Sequence, residues 1–442
     1  MRVALHPDGA PASGTGHVMR CRTLAAALEA RGAETSFGNG LNSTKADWLV
    51  VDHYGLDERW EKQQRKHAEK VLAIDDLADR RHDCDLLLDQ NWFPDAAHRY
   101  DRLVPPRCRK LLGPRYALLR REFFEERKSL RKRTGKVHRI LVSFGGLDAG
   151  NETSKAIALL KGRGIAVDVV VGAANPHEKS IARECRAAGF ALHRQAENMA
   201  ELMAGADLAV GAGGSTTWER CCLGLPTVQV AIAPNQEALS RALADAGMVI
   251  FSGNALTASA LEQALTSSAT LAKQSAGMME LVDGEGAARV AAAILVSEKT
   301  NLSLRNAKPE DSRLYFAWAN DPEVRRQSFD PRPIDWAGHQ DWFARRLEDA
   351  LLLVAADEAG VPLGQVRFER KDGWRINYSV GAEFRGFGLG GTMLAMAITE
   401  LRRRHPGARL VAEVKPDNAA SRRVFETLGF ARISATTFER TA

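Results

Sequence analysis

The sequence predicts an α/β protein built from two lobes with parallel sheets and a third, smaller α/β module. Over roughly the first 300 residues, short apolar runs alternate with helix-length amphipathic stretches, which is the pattern of parallel strands covered by helices. A polar, basic stretch at 125–136 separates the strand candidates into two sets. After 301, a fresh strand candidate opens a last segment of about 140 residues, a common domain size. These breaks predict domains at 1–124, 137–297 and 301–442.

The strand candidates of the first two lobes are short runs rich in Val, Ile and Leu. They lie at 2–5, 48–52 and 71–75 in the first lobe, and at 139–144, 167–172, 208–211 and 227–232 in the second. The stretch at 125–136 has no aromatic residue among its charges, so a solvated helix and linker is favoured over a phosphate-binding patch.

The composition is that of a folded protein: of 442 residues, 45% are hydrophobic and 26% are charged. The net charge of +6 is not concentrated in a basic tail, since residues 301–442 hold 22 basic and 19 acidic side chains. An anionic small-molecule substrate therefore accounts for the charge more simply than a nucleic acid does, and we expect no nucleic-acid partner.

The six cysteines form no C-x-x-C pair and no Cys/His set with the spacing of metal ligands. We therefore expect reduced thiols, a cytoplasmic protein and no bound metal. No apolar run approaches the roughly 20 residues that a membrane-spanning helix needs, and we expect no membrane partner. The sequence leaves the oligomeric state open.

A glycine loop near the N-terminus is the first candidate for chemistry. Gly14 and Gly16 lie directly before a helix whose apolar residues recur with helical spacing and which ends at Gly32. His17 then falls in the first turn, where free amides and the positive end of the helix dipole favour an anion and a neutral imidazole. The residues alone leave two roles open for His17: a proton acceptor, or only a polar cap.

Two glycine loops follow strand candidates in the second lobe. One strand leads into Gly145 and Gly146, and another leads into Gly213 and Gly214 and a helix that starts near Thr216. Such loops at the carboxyl ends of parallel strands flank the cleft in which doubly wound sheets bind nucleotides. Neither loop is a G-x-G-x-x-G fingerprint or a Walker A, which disfavours NAD and ATP. Each loop alone is also explained as a tight strand-to-helix turn.

Several blocks of the first 290 or so residues carry a resemblance to a known family. The blocks, in chain order, are SGTGHVMRCRTLA, VVDHYGLDERWE, AIDDLADRRHDCDLLLDQN, LLGPRYALLR, SFGGLDAGN, GAGGSTTWERCCLGLP, APNQ and VDGEGAARV. This set resembles the UDP-sugar hydrolases of pseudaminic acid biosynthesis, a family similar to the GT-B glycosyltransferases. The resemblance implies two Rossmann-like lobes in a GT-B arrangement, and cleavage of UDP-2,4-diacetamido-2,4,6-trideoxy-β-L-altropyranose to UDP and free sugar. His17 matches the general base of that family.

The candidate UDP-sugar-binding residues come from both lobes, chosen by their position in the loops and at strand ends. In the first lobe they are Gly14, Gly16, Arg20, Asp52 and Tyr54; in the second they are Gly145, Gly146, Gly213, Gly214, Ser215, Thr216, Glu219, Asn235 and Gln236. The hydroxyls of Ser215 and Thr216 suit phosphate oxygens, and the carboxylate of Glu219 suits ribose hydroxyls. One departure concerns the first loop, which keeps Asp8 but has His6 where the family usually has arginine.

The last segment carries a second resemblance. WRINYSVGAEFRGFGLGGTMLAMAITELRRR contains the R-x-x-G-x-G loop of the GNAT acetyltransferases, and RLVAEVKPDNAASRRVFETLGFARI follows as the second motif of that family. The amides of such a loop wrap a pyrophosphate at a helix start. The resemblance covers about 303–435 and implies acetyl-CoA as the donor. The implied acetyl-CoA-binding residues are Val380, Arg385, Gly386, Gly388, Gly390, Gly391, Asn418 and Ser421.

Two features bear on the acetyl-transfer chemistry. Many GNAT members have a tyrosine in the second motif that protonates the leaving thiolate, but this chain has Phe425. Ser421, Tyr378 or a bound water then remains as the proton donor. The stretch 315–349 resembles the acetyltransferase of the same pathway and the ribosomal type of N-terminal acetyltransferase. We expect His339, in this stretch, and Tyr378 to lie on the side of the domain that binds the acetyl acceptor. His339 is a candidate base, whereas core packing explains each tryptophan of the stretch more simply.

Together the two resemblances predict a bifunctional enzyme. The acetylated sugar nucleotide made by such an acetyltransferase is the substrate of such a hydrolase, so one chain would catalyse two successive steps on a UDP-amino sugar. Two alternatives remain: a GT-B glycosyltransferase fused to an acetyltransferase, and a non-enzymatic sensor that binds both ligands. No apolar-basic amphipathic helix marks an acceptor or membrane surface on the first lobe, which disfavours the glycosyltransferase.

Overall fold

The computed structural model describes residues 1–9, 16–38 and 45–441 of the chain. The chain divides into two compact units, Met1–Ala291 and Ala292–Ala442. The described part of the first unit contains two six-stranded parallel sheets, and that of the second contains one seven-stranded mixed sheet. The predicted α/β class, with parallel sheets in the N-terminal region, is confirmed. No helix in the described ranges is long and apolar enough to span a membrane.

The first sheet has the order β2-β1-β3-β4-β5-β6. Its strands are β1 (Arg2–Pro7), β2 (Glu34–Phe37), β3 (Ala46–Asp52), β4 (Ala68–Ile74), β5 (Leu86–Asp89) and β6 (Arg109–Leu112). The helices of this lobe are α1 (Gly16–Glu29) and α2 (Glu58–Gln64), and the next helix, α3 (Arg121–Lys128), packs against helices of the second lobe. The chain leaves β1 toward β2 and returns to the other side of β1 as β3, so a crevice opens at the carboxyl ends of β1 and β3.

The second sheet has the order β12-β11-β10-β7-β8-β9. Its strands are β7 (Arg139–Ser143), β8 (Ala166–Val171), β9 (Ala191–Arg194), β10 (Leu208–Ala212), β11 (Thr227–Val230) and β12 (Ile250–Phe251). The helices are α4 (Glu152–Leu160), α5 (Glu178–Ala188), α6 (Met199–Gly205), α7 (Thr216–Cys222), α8 (Pro234–Asp245), α9 (Ala258–Thr266), α10 (Ser268–Leu281) and α11 (Gly286–Leu295). This is the Rossmann strand order, and it reverses between β7 and β10.

The basic stretch at 125–136 is only in part the solvated helix and linker that the sequence predicts: its lysines are exposed, but its arginines bind groups of the second lobe. Arg127 and Arg133 donate to backbone carbonyls at the C-terminal ends of α6, α7 and α10, and Arg131 pairs with Asp207 at 2.7 Å. Arg133 is only 8% exposed, and burial lowers its pKa to about 10. Helix C-termini leave unpaired carbonyls, and these arginines satisfy several of them. The positive charges therefore hold the second lobe together.

The second unit contains a sheet of order β13-β14-β15-β16-β17-β19-β18. Its strands are β13 (Ser303–Asn306), β14 (Ala350–Ala356), β15 (Pro362–Lys371), β16 (Gly373–Val380), β17 (Arg409–Glu413), β18 (Ala431–Arg432) and β19 (Thr437–Thr441). The helices are α12 (Ser312–Ala319), α13 (Pro322–Gln327), α14 (Trp336–Asp349), α15 (Leu389–Arg404) and α16 (Ala419–Thr427). Only the β16/β17 pair is parallel among these pairings.

Strands β16 and β17 diverge. The residues of β16 pair with β15 along the whole strand as far as Val380. On the other side, β16 pairs with β17 only over Trp374–Ile376. The backbone edge of 377–380 therefore has no strand partner on the β17 side. An edge of this kind offers amide and carbonyl groups to an extended ligand that itself carries amides.

Candidate functional sites

The first candidate site lies where the strand order of the first sheet reverses. α1 follows β1 with His17 in its first turn, and β3 ends at Asp52. His17 Nδ1 lies 2.6 Å from Asp52 Oδ1, and the two side chains are 5% and 0% exposed. Two acceptor atoms do not approach this closely without a proton between them. The pair is therefore a hydrogen bond whose direction follows from the charge of Asp52.

Asp52 is held in its ionised form. Burial opposes ionisation, but the Arg20 guanidinium outweighs burial and lowers the pKa of the Asp52 carboxyl below its ordinary value. The shared proton therefore lies on His17 Nδ1, which donates to Asp52 Oδ1, and Arg20 Nη2, 3.0 Å from Nδ1, donates to the same oxygen. In the neutral tautomer with this proton on Nδ1, Nε2 carries the lone pair. A histidine in this tautomer is able to accept a proton from water, as a general base does.

Arg20 lies one helical turn after His17 and binds both oxygens of Asp52. Its Nε is 2.5 Å from Oδ2 and its Nη2 is 2.6 Å from Oδ1. Asp76 adds a second carboxylate 3.6 Å from Nη1. The sequence predicts substrate contacts for Arg20 and Asp52, whereas the structure has them face each other. Their predicted contacts with substrate remain predictions, and the contacts present here suit positioning of His17.

Tyr54 forms a wall of the same site. Its ring stands edge-on to the His17 ring, with centroids 4.7 Å apart, and its hydroxyl donates to Asp76 at 3.3 Å. Burial raises the pKa of Tyr54, so the hydroxyl stays protonated. The predicted sugar contact of Tyr54 remains a prediction. Gly14 lies outside the described residues, and Gly16 is the first residue of α1.

The sequence reasoning missed a regular feature of the first sheet. The apolar runs of β3, β4 and β5 each end in, or are followed by, a buried aspartate that pairs with one arginine. The pairs are Asp52 with Arg20 at 2.5 Å, Asp75 with Arg80 at 2.8 Å and Asp89 with Arg99 at 2.7 Å. The sequence shows which apolar runs end in aspartate. It does not show which arginine pairs with each of these aspartates.

The glycine loops of the second lobe lie side by side. Gly145 and Gly146 follow β7, Gly213 and Gly214 follow β10, and these two strands are neighbours in the sheet. A Cβ added to Gly213 would lie 2.5 Å from Ser240 Oγ, so the backbone there has no room for a side chain. Gly145 has a φ of +79°, which favours glycine. The structure thus brings together the four predicted glycines.

The two lobes approach each other at the starts of α1 and α7. A Cβ added to Gly16 would lie 3.8 Å from the Oγ of Ser215, which is exposed and directly precedes Thr216 at the start of α7. The proposed base on α1 and the predicted phosphate-binding hydroxyls on α7 therefore lie on facing edges of the two lobes. A cleft between them would expose a bound diphosphate to backbone amides from the loop.

The remaining predicted residues of the second lobe lie around the same loops. Gln236 accepts from the Ile232 amide at 3.1 Å, and its Nε2 lies 3.5 Å from where a Cβ of Gly214 would be. Asn235 is exposed at the start of α8. Burial raises the pKa of Glu219, and Arg120, 3.7 Å away, opposes that shift.

The second unit has its own candidate site at the start of α15. Gly386 and Gly388 have φ values of +86° and +71°, and no protein atom lies within 4 Å of where a Cβ at Gly386, Gly388 or Gly391 would be. This open cradle fits a pyrophosphate held by backbone amides. Arg385 is occupied by protein groups: Nε donates to the Val380 carbonyl at 3.1 Å and Nη2 binds Asp321 at 2.6 Å.

Two predicted residues of the second motif lie in the first turn of α16. Asn418 caps this helix by accepting from the Ser421 amide at 3.1 Å. The Tyr378 hydroxyl donates to Ser421 Oγ at 3.1 Å. Phe425, one turn further along α16, is 2% exposed, and its ring meets the Tyr378 ring edge-on with centroids 5.8 Å apart. Tyr378 thus joins the divergent end of β16 to α16.

His339 packs inside the second unit. The residue is 2% exposed, and its Nε2 donates to the Ser312 carbonyl at 2.8 Å. Four aromatic rings surround it, those of Phe316, Trp336, Trp342 and Phe343. Burial lowers the pKa of His339, so the neutral ring is favoured. Its proposed role as a base remains a prediction, and the structure places it with the packed aromatic side chains.

No three His, Cys, Asp or Glu side chains in the described part of the chain are grouped in a way that would hold a metal ion.

Comparison with known proteins identifies a family for the C-terminal domain and distant relatives for the N-terminal part. Residues 301–431 match the acetyltransferase (GNAT) domain family, and such a domain implies the use of acetyl-CoA. An uncharacterised protein of Methanocaldococcus jannaschii is 23% identical over 97% of this chain and 96% of its own length. The two halves therefore occur together in that relative.

Two further relatives match less of the chain. The UDP-2,4-diacetamido-2,4,6-trideoxy-beta-L-altropyranose hydrolase of Campylobacter jejuni is 28% identical over 47% of this chain and 75% of its own length. The spore coat polysaccharide biosynthesis protein SpsG of Bacillus subtilis is 24% identical over 57% of this chain and 83% of its own length. The chain thus carries a GNAT acetyltransferase domain at its C-terminus, and its N-terminal part resembles, at low identity, proteins of sugar biosynthesis that include a UDP-sugar hydrolase.

Proposed function

We propose that the chain catalyses two successive steps on a UDP-amino sugar of pseudaminic acid biosynthesis. The domain at 301–442 transfers an acetyl group from acetyl-CoA to the 4-amino group of the sugar. The lobes at 1–124 and 137–297 then hydrolyse UDP-2,4-diacetamido-2,4,6-trideoxy-β-L-altropyranose to UDP and free sugar. The observation that supports the hydrolytic step best is the His17–Asp52 pair, with Nδ1 2.6 Å from Oδ1 at the reversal point of the first sheet.

The geometry of His17 supports the hydrolytic step proposed here. Nε2 takes a proton from water, the water oxygen forms a bond to the anomeric carbon, and the bond from that carbon to the diphosphate oxygen breaks. UDP leaves with the electron pair of the broken bond. The amides of the glycine loops around Gly146 and Gly214, with the hydroxyls of Ser215 and Thr216, stabilise the charge on the departing diphosphate.

The acetyl-transfer step uses the cradle at the start of α15. The loop amides between Gly386 and Gly391 hold the pyrophosphate of acetyl-CoA, and the edge at 377–380, which lacks a strand partner on the β17 side, binds its amide-bearing arm. The amine of the sugar then attacks the thioester. Acetylation before hydrolysis makes the product of the second unit the substrate of the first.

The test supplies the UDP-4-amino sugar to the full chain with and without acetyl-CoA and follows products by mass spectrometry. We expect UDP to be released only after the mass of an acetyl group has been added. His17→Asn should stop UDP release and leave acetylation at the wild-type rate. Equally fast UDP release without acetyl-CoA would refute the order of steps. If UDP release depended strictly on an added acceptor, the chain would be a glycosyltransferase. If both ligands bound without turnover, it would be a sensor.

A further inference from the structure

The acetyl-transfer step leaves one chemical requirement unassigned. When the carbon–sulfur bond of a thioester breaks, the leaving sulfur carries negative charge, and a positioned proton donor accelerates that step by about 100-fold or more. Phe425, on the helix beside the divergent strand ends, has no proton to give. The described side chains around it include two hydroxyl groups that are hydrogen-bonded to each other, those of Tyr378 and Ser421.

The position of Tyr378 connects both parts of the acetyl-CoA site. It belongs to the 377–380 edge of β16, which has no strand partner on the β17 side. Its Cε2 lies 3.2 Å from where a Cβ of Gly390 would be, at the start of α15. Its ring also meets Phe425 of α16, with centroids 5.8 Å apart. A ligand with its pyrophosphate on the α15 loop and its amides along this edge extends toward Tyr378.

We propose that Tyr378 donates the proton to the leaving sulfur and that Ser421 positions its hydroxyl. The proposal rests on the acetyltransferase part of the proposed function but not on the identity of the amine. The amine nitrogen forms a bond to the acetyl carbon, the carbon–sulfur bond breaks, and the sulfur takes the Tyr378 proton. The ammonium proton that amide formation releases then returns to the phenolate, so that the net products are the amide and the CoA thiol.

The environment of Tyr378 suits this role. Burial raises the pKa of Tyr378, and the hydrogen bond with Ser421 opposes that shift. The hydroxyl therefore stays protonated at neutral pH and begins each turnover with its proton in place. The contact with Ser421 Oγ at 3.1 Å fixes where that proton points when no ligand is bound.

The first test uses the full chain with CoA alone and follows ionisation of the bound thiol by its ultraviolet absorbance. A hydrogen bond from Tyr378 to sulfur stabilises the thiolate, so the bound thiol should ionise at lower pH than free CoA. Tyr378→Phe should move that ionisation back toward the value for free CoA. Tyr315→Phe is the matched control, because the Tyr315 hydroxyl donates to the Leu353 carbonyl at 2.9 Å in the interior of the same unit.

The second test measures turnover with the UDP-4-amino sugar. Tyr378→Phe should lower kcat by about 100-fold with little change in the Kd for CoA, and Ser421→Ala should lower it less. The double variant Tyr378→Phe/Phe425→Tyr has its hydroxyl group on residue 425, whose ring contacts that of residue 378. This variant should recover most of the rate. Unchanged thiol ionisation in Tyr378→Phe, or a loss of CoA binding that Phe425→Tyr does not restore, would overturn the proposal. If the wild-type chain fails to acetylate this sugar, the proposed substrate is wrong and the thiol titration still decides the role of Tyr378.

Discussion

His17 Nδ1 and Asp52 Oδ1 lie 2.6 Å apart, although 35 residues separate them in the chain. The contact exists because β1 and β3 are neighbours in the first sheet and the helix after β1 begins beside the end of β3. Arg20 holds both Asp52 oxygens at 2.5 and 2.6 Å. The carboxylate is thereby fixed in position and charge, and through it the tautomer of the histidine is fixed as well.

Asp52→Asn should impair UDP release through the tautomer of His17. The amide group of asparagine offers a donor as well as an acceptor, so Nδ1 no longer has to carry the proton and Nε2 loses its assured lone pair. We expect kcat to fall by at least about 100-fold, with a small change in KM, since Asp52 is fully buried. Initial rates of UDP release from the acetylated substrate measure both constants.

Asp85→Asn is the matched control for that variant. Asp85 pairs with two arginines, Arg65 at 2.6 Å and Arg107 at 3.4 Å, but it precedes β5 and therefore lies at the opposite edge of the sheet from Asp52. UDP release by this variant should match the wild-type rate. An equal loss in both variants would mean that the pairs act only through the stability of the lobe.

Gly391→Ala should separate stability from acetyl-CoA binding. Gly391 lies in the first turn of α15, and a Cβ there meets no protein atom within 4 Å. Alanine in a helix is favoured over glycine by up to about 1 kcal/mol, so the ligand-free chain should become slightly more stable to unfolding. The added methyl group occupies space that a bound pyrophosphate needs, so the Kd for acetyl-CoA should rise. Calorimetric unfolding and a binding titration measure the two effects.

Gly390→Ala provides the contrast within the same loop. A Cβ at this position would lie 3.2 Å from Tyr378 Cε2, which is closer than ordinary contact. The tyrosine must therefore shift, and we expect a lower kcat for acetyl transfer without the gain in stability. Tighter acetyl-CoA binding by Gly391→Ala would contradict the assignment of the open space to the ligand.

Asp89 should make the stability of the first lobe depend on pH. The residue is 2% exposed, and burial raises the pKa of its carboxyl to about 7, although the Asn91 amide and Arg99 oppose the shift. Between about pH 4 and pH 7 the folded chain then keeps a proton that the unfolded chain has released. The stabilising contribution of this proton is fully present below about pH 4 and is lost as the pH rises through 7.

Asp89→Asn tests that dependence, because asparagine is neutral at every pH. The free energy of unfolding of the variant, relative to the wild type, should increase between pH 4 and pH 8. Denaturant titrations at a series of pH values measure it, and Asp95→Asn serves as a control at an exposed aspartate of the same lobe. A constant difference between variant and wild type across this range would show that Asp89 is ionised in the folded chain.

The parts of the molecule that depend on local sequence were predictable. Runs such as 48–52 and 139–144 became strands, and the glycine pairs after β7 and β10 came together because the carboxyl ends of neighbouring parallel strands share one edge. These inferences need only periodicity, glycine and the topology rules of parallel sheets.

The parts that depend on partners distant in sequence were not predictable. The position of Asp52 at a strand end predicts a sugar contact, which stays a prediction, but the sequence does not show that the fold brings Arg20 to its two oxygens. The arginines of 125–136 read as solvated because the carbonyls that they bind belong to helices about 70 to 155 residues further along the chain. The sequence shows that this stretch is positively charged, but it does not show which groups its arginines bind.

His339→Phe should leave acetyl transfer largely intact. The phenyl ring preserves contact with the four surrounding aromatic rings, and the variant loses only the Nε2 hydrogen bond to the Ser312 carbonyl. A buried carbonyl without its donor costs about 1–3 kcal/mol, so thermal unfolding should shift to lower temperature while kcat stays near the wild-type value. His98→Phe, at an exposed histidine of the first unit, is the control for a surface substitution. A loss of kcat by about 100-fold or more in His339→Phe, with the Kd for CoA unchanged, would instead establish His339 as the base that receives the proton of the amine.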